Sequence, residues 1–350
     1  MKLMTVDCRL SQTNSSKIRN LGLICAFLVV VIHCRPNFAD GSLGWWVCQI
    51  LENGVAQIAV PFFFTVTGYM VARGMAMPRG GECVITKRMR TLLVPFAFWN
   101  FLFWAFTISI QNLPNIVHRR SLQIWFPTLQ QIGVWYTGCP LLTPLWYVRA
   151  IFVLTVCSPV IIWFVKRAGV WNLALLFAVY GVVCPFWPLP EVSAFEWFAR
   201  VGVFPLLGMF YFALGVAIRE GVVGGANLPK WVSAASLCAG IVFACVRAVF
   251  VWKGIPCAQY LGFACVPFAL YGAWGLVSGR EWPKWIVTSS FGVYLIHKFI
   301  LTVFKYIVQP NLNVGVYLGM AFAAFAFSLA VVVIVKRVTP RVATVIFGGR

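Results

Sequence analysis

The sequence predicts an all-α integral membrane protein, a polytopic bundle of about ten transmembrane helices with its N- and C-termini on the cytoplasmic side. Three observations predict it. Hydrophobic residues make up 61% of the 350-residue chain and charged residues only 10%. The apolar residues are gathered into runs of membrane-spanning length, and the Lys and Arg residues between the runs fall mostly on alternate sides. A soluble domain of this size cannot hide so much apolar surface, whereas a bilayer solvates it. The same composition excludes a disordered chain.

Crossing the hydrocarbon takes about 20 apolar residues in a helix. Runs of that kind lie at 18–37, 44–72, 91–110, 145–165, 170–187, 200–218, 231–252, 258–278, 286–308 and 314–335. The first begins after Lys17 and Arg19 and is uncharged from Leu21 to Ile32, like a signal peptide. However, the following His33, Cys34, Arg35 and Pro36 lack a small-x-small cleavage site, so the run reads as a first span. No linker separates a second domain and no repeat is evident. The expectation is a single transmembrane domain over 1–350, with a polar N-terminal tail at 1–17 and an outer loop at 111–142 that carries His118, Arg119 and Arg120.

Orientation follows from the basic residues. With the N-terminus inside, the inner segments hold Lys2, Arg9, Lys17, Arg19, Arg73, Arg79, Lys87, Arg88, Arg90, Lys166, Arg167, Arg219, Lys230, Arg280, Lys284, Lys336, Arg337, Arg341 and Arg350. The outer ones hold Arg35, Arg119, Arg120, Arg200 and Lys253, a ratio of 19 to 5, and four basic residues stay within spans. A net charge of +20 would suggest nucleic acid in a soluble protein. Here the charge sits in short loops, so the partner is the bilayer and its anionic inner leaflet, with no nucleic acid. The 12 cysteines are scattered through apolar runs with no C-x-x-C and no histidine at ligand spacing. They read as small buried side chains, and no metal site is expected. Cys34, Cys139 and Cys257 near the outer face leave one disulfide open there.

Ionisable groups within hydrocarbon cost several kcal/mol unless paired or hydrated, so they are functional candidates. Five stand out: His33, Glu52, Arg149, Arg247 and His297. His33 is 14 residues beyond Arg19, which is about 21 Å up a core roughly 30 Å thick. Glu52 and Arg149 fall a turn or two inside the outer ends of spans two and four. Arg247 falls near the outer end of span seven, and His297 near the middle of span nine. Plainer roles stand beside each: snorkelling of Arg149 or Arg247 to the outer headgroups, an interhelical hydrogen bond for His297, charge neutralisation by Glu52. For His33 the chemistry favours function, because a neutral imidazole in a wet cavity is the usual general base near neutral pH. On the inner side, Arg73, Arg79, Lys87, Arg88 and Arg90 form the densest positive patch. Topology alone accounts for its sign, yet arginines at i and i+2 before a span suit a phosphorylated ligand.

Five segments carry a resemblance. Lys17 to His33 (KIRNLGLICAFLVVVIH) resembles the first helix of the acyltransferase family 3 membrane proteins. Val60 to Arg73 (VPFFFTVTGYMVAR) is similar to that family's second helix, and Lys87 to Trp99 (KRMRTLLVPFAFW) to its basic lead-in to helix three. Leu145 to Leu154 and Ser290 to Leu301 are similar to two further signatures, in the family's order. The resemblance implies transfer of an acyl group, often acetyl, from coenzyme A to a hydroxyl of an extracytoplasmic glycan or lipid-linked sugar. It assigns the family's histidine to His33 and its R-x-R to Arg88 and Arg90. Many members carry Arg or Lys eleven residues before that histidine, where this chain has Gly22. A stand-alone membrane domain is expected, without an appended SGNH-type esterase domain.

Combined with that resemblance, the residues give a transmembrane mechanism in a bacterial cytoplasmic membrane. Arg88, Arg90 and Lys87 hold the phosphates of acetyl-CoA or another acyl-CoA at the cytoplasmic face. His33 is the general base, Glu52 orients or charge-balances it, and Arg149 stabilises the developing oxyanion. A transient acyl-histidine is a variant of the same scheme. His297, Arg247, Trp146 and Tyr147 are the substrate-binding candidates. The competing class is a carrier or flippase for a sugar-phosphate or lipid-linked glycan, using the same charges as an anion path. Against it stands the expectation of no two-fold repeat and no pair of matched broken helices.

Overall fold

The computed structural model describes residues 12–34, 38–77, 80–118, 143–183, 208–223, 229–255, 258–308 and 313–349. Residues 1–11 of the tail and 119–142 of the outer loop lie outside them, as do Arg35, Arg79, Arg200, Cys257 and Arg350. Every described element is helical, and no strand occurs among the described residues.

Each of the ten apolar runs holds a helix, but several are not single helices. α1 (Gln12–Cys34) fills the first. The second divides into α2 (Leu43–Leu51), a turn at residues 52–54, a 3-10 turn (Val55–Ile58) and α3 (Ala59–Met75). The third is α4 (Gly80–Arg88), a π-turn (Met89–Leu93) and α5 (Val94–His118). The fourth opens with a 3-10 turn (Thr143–Leu145) and continues as α6 (Trp146–Val156) and α7 (Ser158–Ala168), bent by 66°. There follow α8 (Val170–Val183), α9 (Gly208–Arg219), α10 (Lys230–Trp252) and α11 (Ala258–Leu276). The short α12 (Lys284–Val287) leads into α13 (Ser290–Val308), α14 (Val314–Val338) and α15 (Pro340–Ile346). Among the described residues, five of these stretches are long and apolar enough to cross a membrane, or six if the bent pair α6–α7 is one span. The protein is therefore an all-helical membrane protein.

The interruption at Glu52 falls where another helix packs against the chain. Gly54 leaves the helical region at φ −116° and ψ −96°. A Cβ there would stand 2.4 Å from the Ile50 carbonyl oxygen and 2.5 Å from the Ala244 Cβ, so α10 packs into the break. Backbone groups freed inside a membrane need new partners. The Gln57 side-chain amide supplies one, donating to the Glu52 carbonyl at 2.8 Å.

Small residues set the remaining contacts, as expected where helices associate by close packing rather than by the hydrophobic effect. α3 and α9 cross reciprocally: a Cβ at Gly68 would meet the Phe212 carbonyl at 2.0 Å, and one at Gly215 the Thr65 carbonyl at 1.9 Å. α10 and α11 form a hairpin closed at Gly240 against Ala269 and at Gly272 against Leu237. α1 and α13 lie side by side and parallel. At one end Arg19 pairs with Glu281 at 3.1 Å, and the buried Asn20 amide donates to the Ser278 and Arg280 carbonyls at 3.0 and 2.7 Å. At the other end the Lys305 ammonium donates to the His33 carbonyl at 3.3 Å.

Candidate functional site

The parallel packing of α1 and α13 brings together two histidines that the sequence holds far apart. Their rings, His33 and His297, lie 5.2 Å centre to centre. His33 occupies the last turn of α1 and is half-buried. His297 is fully buried, 0% exposed. Its Nδ1 lies 2.7 Å from the Tyr294 carbonyl oxygen one turn back. A carbonyl only accepts, so Nδ1 carries the proton and Nε2 holds the lone pair. That Nε2 is buried and has no hydrogen-bond partner among the described residues. An orphaned acceptor in a dry site is costly, and a hydroxyl or thiol donor brought in by a substrate would satisfy it.

Above the pair, toward the His33 end of α1, charges gather. Glu52 is buried, 5% exposed, in the turn that breaks span two. Glu52, Lys298 and Lys305 all lie within electrostatic reach of Cys34, the residue after His33. Lys305 also answers an orphan carbonyl at the C-terminus of α1, where the helix dipole favours a cation. Cys34 itself carries a free, buried thiol. Arg247 engages α2 rather than the histidines: it donates to the Gln49 side-chain oxygen at 3.3 Å, which also accepts from Asn53 at 3.1 Å. Its guanidinium stem lies over Gly262, where a Cβ would come 3.1 Å from Nε. Arg247 thus ties α10, α2 and α11 together.

Below the pair an aromatic line leads to the basic patch. The Tyr294 ring is 6.2 Å from His297 and 5.7 Å from Tyr147. Tyr147 lies within electrostatic reach of Arg88. Trp146 and Tyr147 pack on Phe64 with ring centres at 6.2 and 4.9 Å. Arg90 and Lys87 are exposed, while Arg88 is half-buried. Two exposed cations beside a half-buried guanidinium fit a ligand with several phosphates, by the chemistry of the donor set.

Arg149 stands on α6, two residues past Tyr147. The Tyr294 hydroxyl donates to the Pro144 carbonyl, and α6 packs against α4 and the π-turn. Gly22 faces Phe62, which a Cβ would meet at 3.8 Å, so the space of the family's usual cation is bordered by an aromatic ring. Sequence reasoning missed Tyr294, Lys298 and Lys305. The signal was present: counted from Tyr294, His297, Lys298 and Lys305 of α13 fall at i+3, i+4 and i+11, near one face of the helix. Among the described residues no three His, Cys, Asp or Glu side chains gather as a metal site.

In comparison with known families, residues 19–336 fit the acyltransferase family 3 model, described as an acyltransferase domain. No curated protein and no solved structure matches.

Proposed function

The chain belongs to acyltransferase family 3, and from that premise we propose that it transfers an acyl group, acetyl in our reading, from acyl-CoA to a hydroxyl of a cell-surface glycan or lipid-linked sugar. It does so in a bacterial cytoplasmic membrane that it crosses about ten times. The single observation that carries this is the pairing of His33 with the fully buried His297 at 5.2 Å, at the top of an aromatic line that descends to Arg88. Acyl-CoA supplies the activated thioester when bound, and Arg88, Arg90 and Lys87 would hold its phosphates. His33 withdraws the acceptor's hydroxyl proton as the oxygen attacks the thioester carbonyl. The C–O ester bond forms, the C–S bond breaks, and the proton ends on the departing thiolate. Glu52 balances the imidazolium that forms. Arg149 would stabilise the developing oxyanion.

The test is release of free thiol from acetyl-CoA by the purified protein with a broad set of sugar acceptors. His33→Ala is expected to insert normally and to lose roughly 10²-fold or more of that activity, the usual contribution of a positioned base. His33→Gln should be nearly as inactive. If the wild type releases thiol no faster than His33→Ala, this mechanism is wrong. One observation favours a second reading: spans two and four are interrupted at residues 52–54 and at Cys157, and discontinuous helices frame the sites of many carriers. A carrier releases no thiol at all, and its substrate movement would be partly kept by His33→Gln.

A further inference from the structure

We infer that the segment Ile346–Gly348 is a positioning element for the donor arginines, clamping the π-turn that carries Arg90; this rests on the donor assignment above. α15 returns the chain to the foot of α5. There the Trp99 indole N–H donates to the Ile346 carbonyl at 2.8 Å. The Phe347 ring stacks on Trp99 at 5.9 Å and 18°, and Phe347 is 1% exposed. The next residue, Gly348, has φ +66° and presses on the π-turn: a Cβ would stand 2.2 Å from the Thr91 carbonyl oxygen and 3.4 Å from Pro95 Cγ. Thr91 is the central residue of Met89–Leu93, directly after Arg90. π-turns are rare and frequently mark functional sites. Left-handed backbone and a close approach at the same residue call for glycine.

The clamp also reaches the histidine side. Trp99 and Phe103 pack on Phe299 with ring centres at 5.7 and 4.9 Å, and Phe299 is two residues past His297 on α13. Phe347 lies against Gly292 of the same helix, with Cδ1 3.4 Å from where a Cβ would be. One packed seam therefore fixes the arginines relative to the helix that bears His297.

The experiment measures equilibrium binding of radiolabelled acetyl-CoA to the full chain in nanodiscs, alongside its thermal unfolding. Gly348→Ala should weaken binding by about tenfold, the equivalent of one charge-assisted hydrogen bond. Trp99→Phe keeps an aromatic ring against Phe347 and removes the N–H donor along with the fused five-membered ring; it should weaken binding about threefold and serves if Gly348→Ala fails to fold. Gly349→Ala is the control. It has the same handedness, φ +68°, but its Cβ would meet only Thr344 Cγ2 at 3.8 Å, so donor affinity should stay within twofold of wild type. Arg90→Ala separates the two claims. If it leaves binding unchanged, the donor assignment fails. If it weakens binding while Gly348→Ala and Trp99→Phe do not, or if Gly349→Ala weakens it equally, the clamp is overturned.

Discussion

A buried imidazole with one nitrogen bonded and the other bare is an unstable choice for a membrane bundle unless the bare nitrogen is used. His297 is in that state: Nδ1 is satisfied by its own helix and Nε2 by nothing among the described residues. Replacing it with Phe removes an unpaired polar atom and keeps a ring of similar shape. The unfolding temperature in detergent should therefore hold or rise, while thiol release falls by on the order of 10²-fold. A clear drop in stability would mean that Nε2 has a structural partner. Tyr294→Phe makes the opposite forecast. It deprives the Pro144 carbonyl of its donor and should cost about 1–3 kcal/mol, seen as an earlier unfolding transition.

Helices in this protein are held by backbone proximity, and the most exacting case is the crossing of α3 with α9. Gly215 admits the Thr65 carbonyl, Gly68 admits the Phe212 carbonyl, and α3 in turn backs Tyr147 through Phe63 and Phe64. Gly215→Val should push the pair apart and destabilise by about 1–3 kcal/mol or more, read in detergent-dependent unfolding. The basic turn responds differently, because its cations face outward. Arg88→Ala and Arg90→Ala should each weaken acyl-CoA binding by about 1.5–3 kcal/mol with little change in folding. The effect should be larger for Arg88, whose half-buried guanidinium is already set beside Tyr147. Unchanged affinity in the double variant would move the donor site elsewhere.

At the scale of the whole molecule the governing quantity is the distribution of charge across the bilayer. Nineteen basic residues against five predict the orientation. A reporter fused after Arg90 should read as cytoplasmic, and one placed within 111–142 as external. The same side for both would refute the ten-span arrangement. The polar contacts between Arg19 and Glu281, Lys336 and Thr288, and Trp99 and Ile346 all join helix ends that the count assigns inside. The ends assigned outside meet through Trp46 and Trp252, with ring centres at 5.8 Å.

Hydropathy and charge are local sums, so the sequence by itself determined the helical membrane class, the ten apolar runs and the candidacy of His33, Glu52 and His297. Each costs free energy where it stands, and a cost of that kind is visible without neighbours. The family signature was equally legible, since it is a matter of residue order. Pairing was not. The bond from Tyr294 to Pro144, which ties α13 to the start of the fourth run, joins residues 150 apart in sequence. Arg247 was legible as a cation within a span, but its bond to Gln49 on another helix was not. The break at Gly54 was hidden because its cause, Ala244, is on another helix. Only the tertiary structure decided that α1 runs parallel to α13, which sets His33 against His297 and Lys305 at the end of α1. The choice of neighbour among many equally apolar helices depends on small residues and buried polar partners meeting in space, and no periodicity within one helix encodes it.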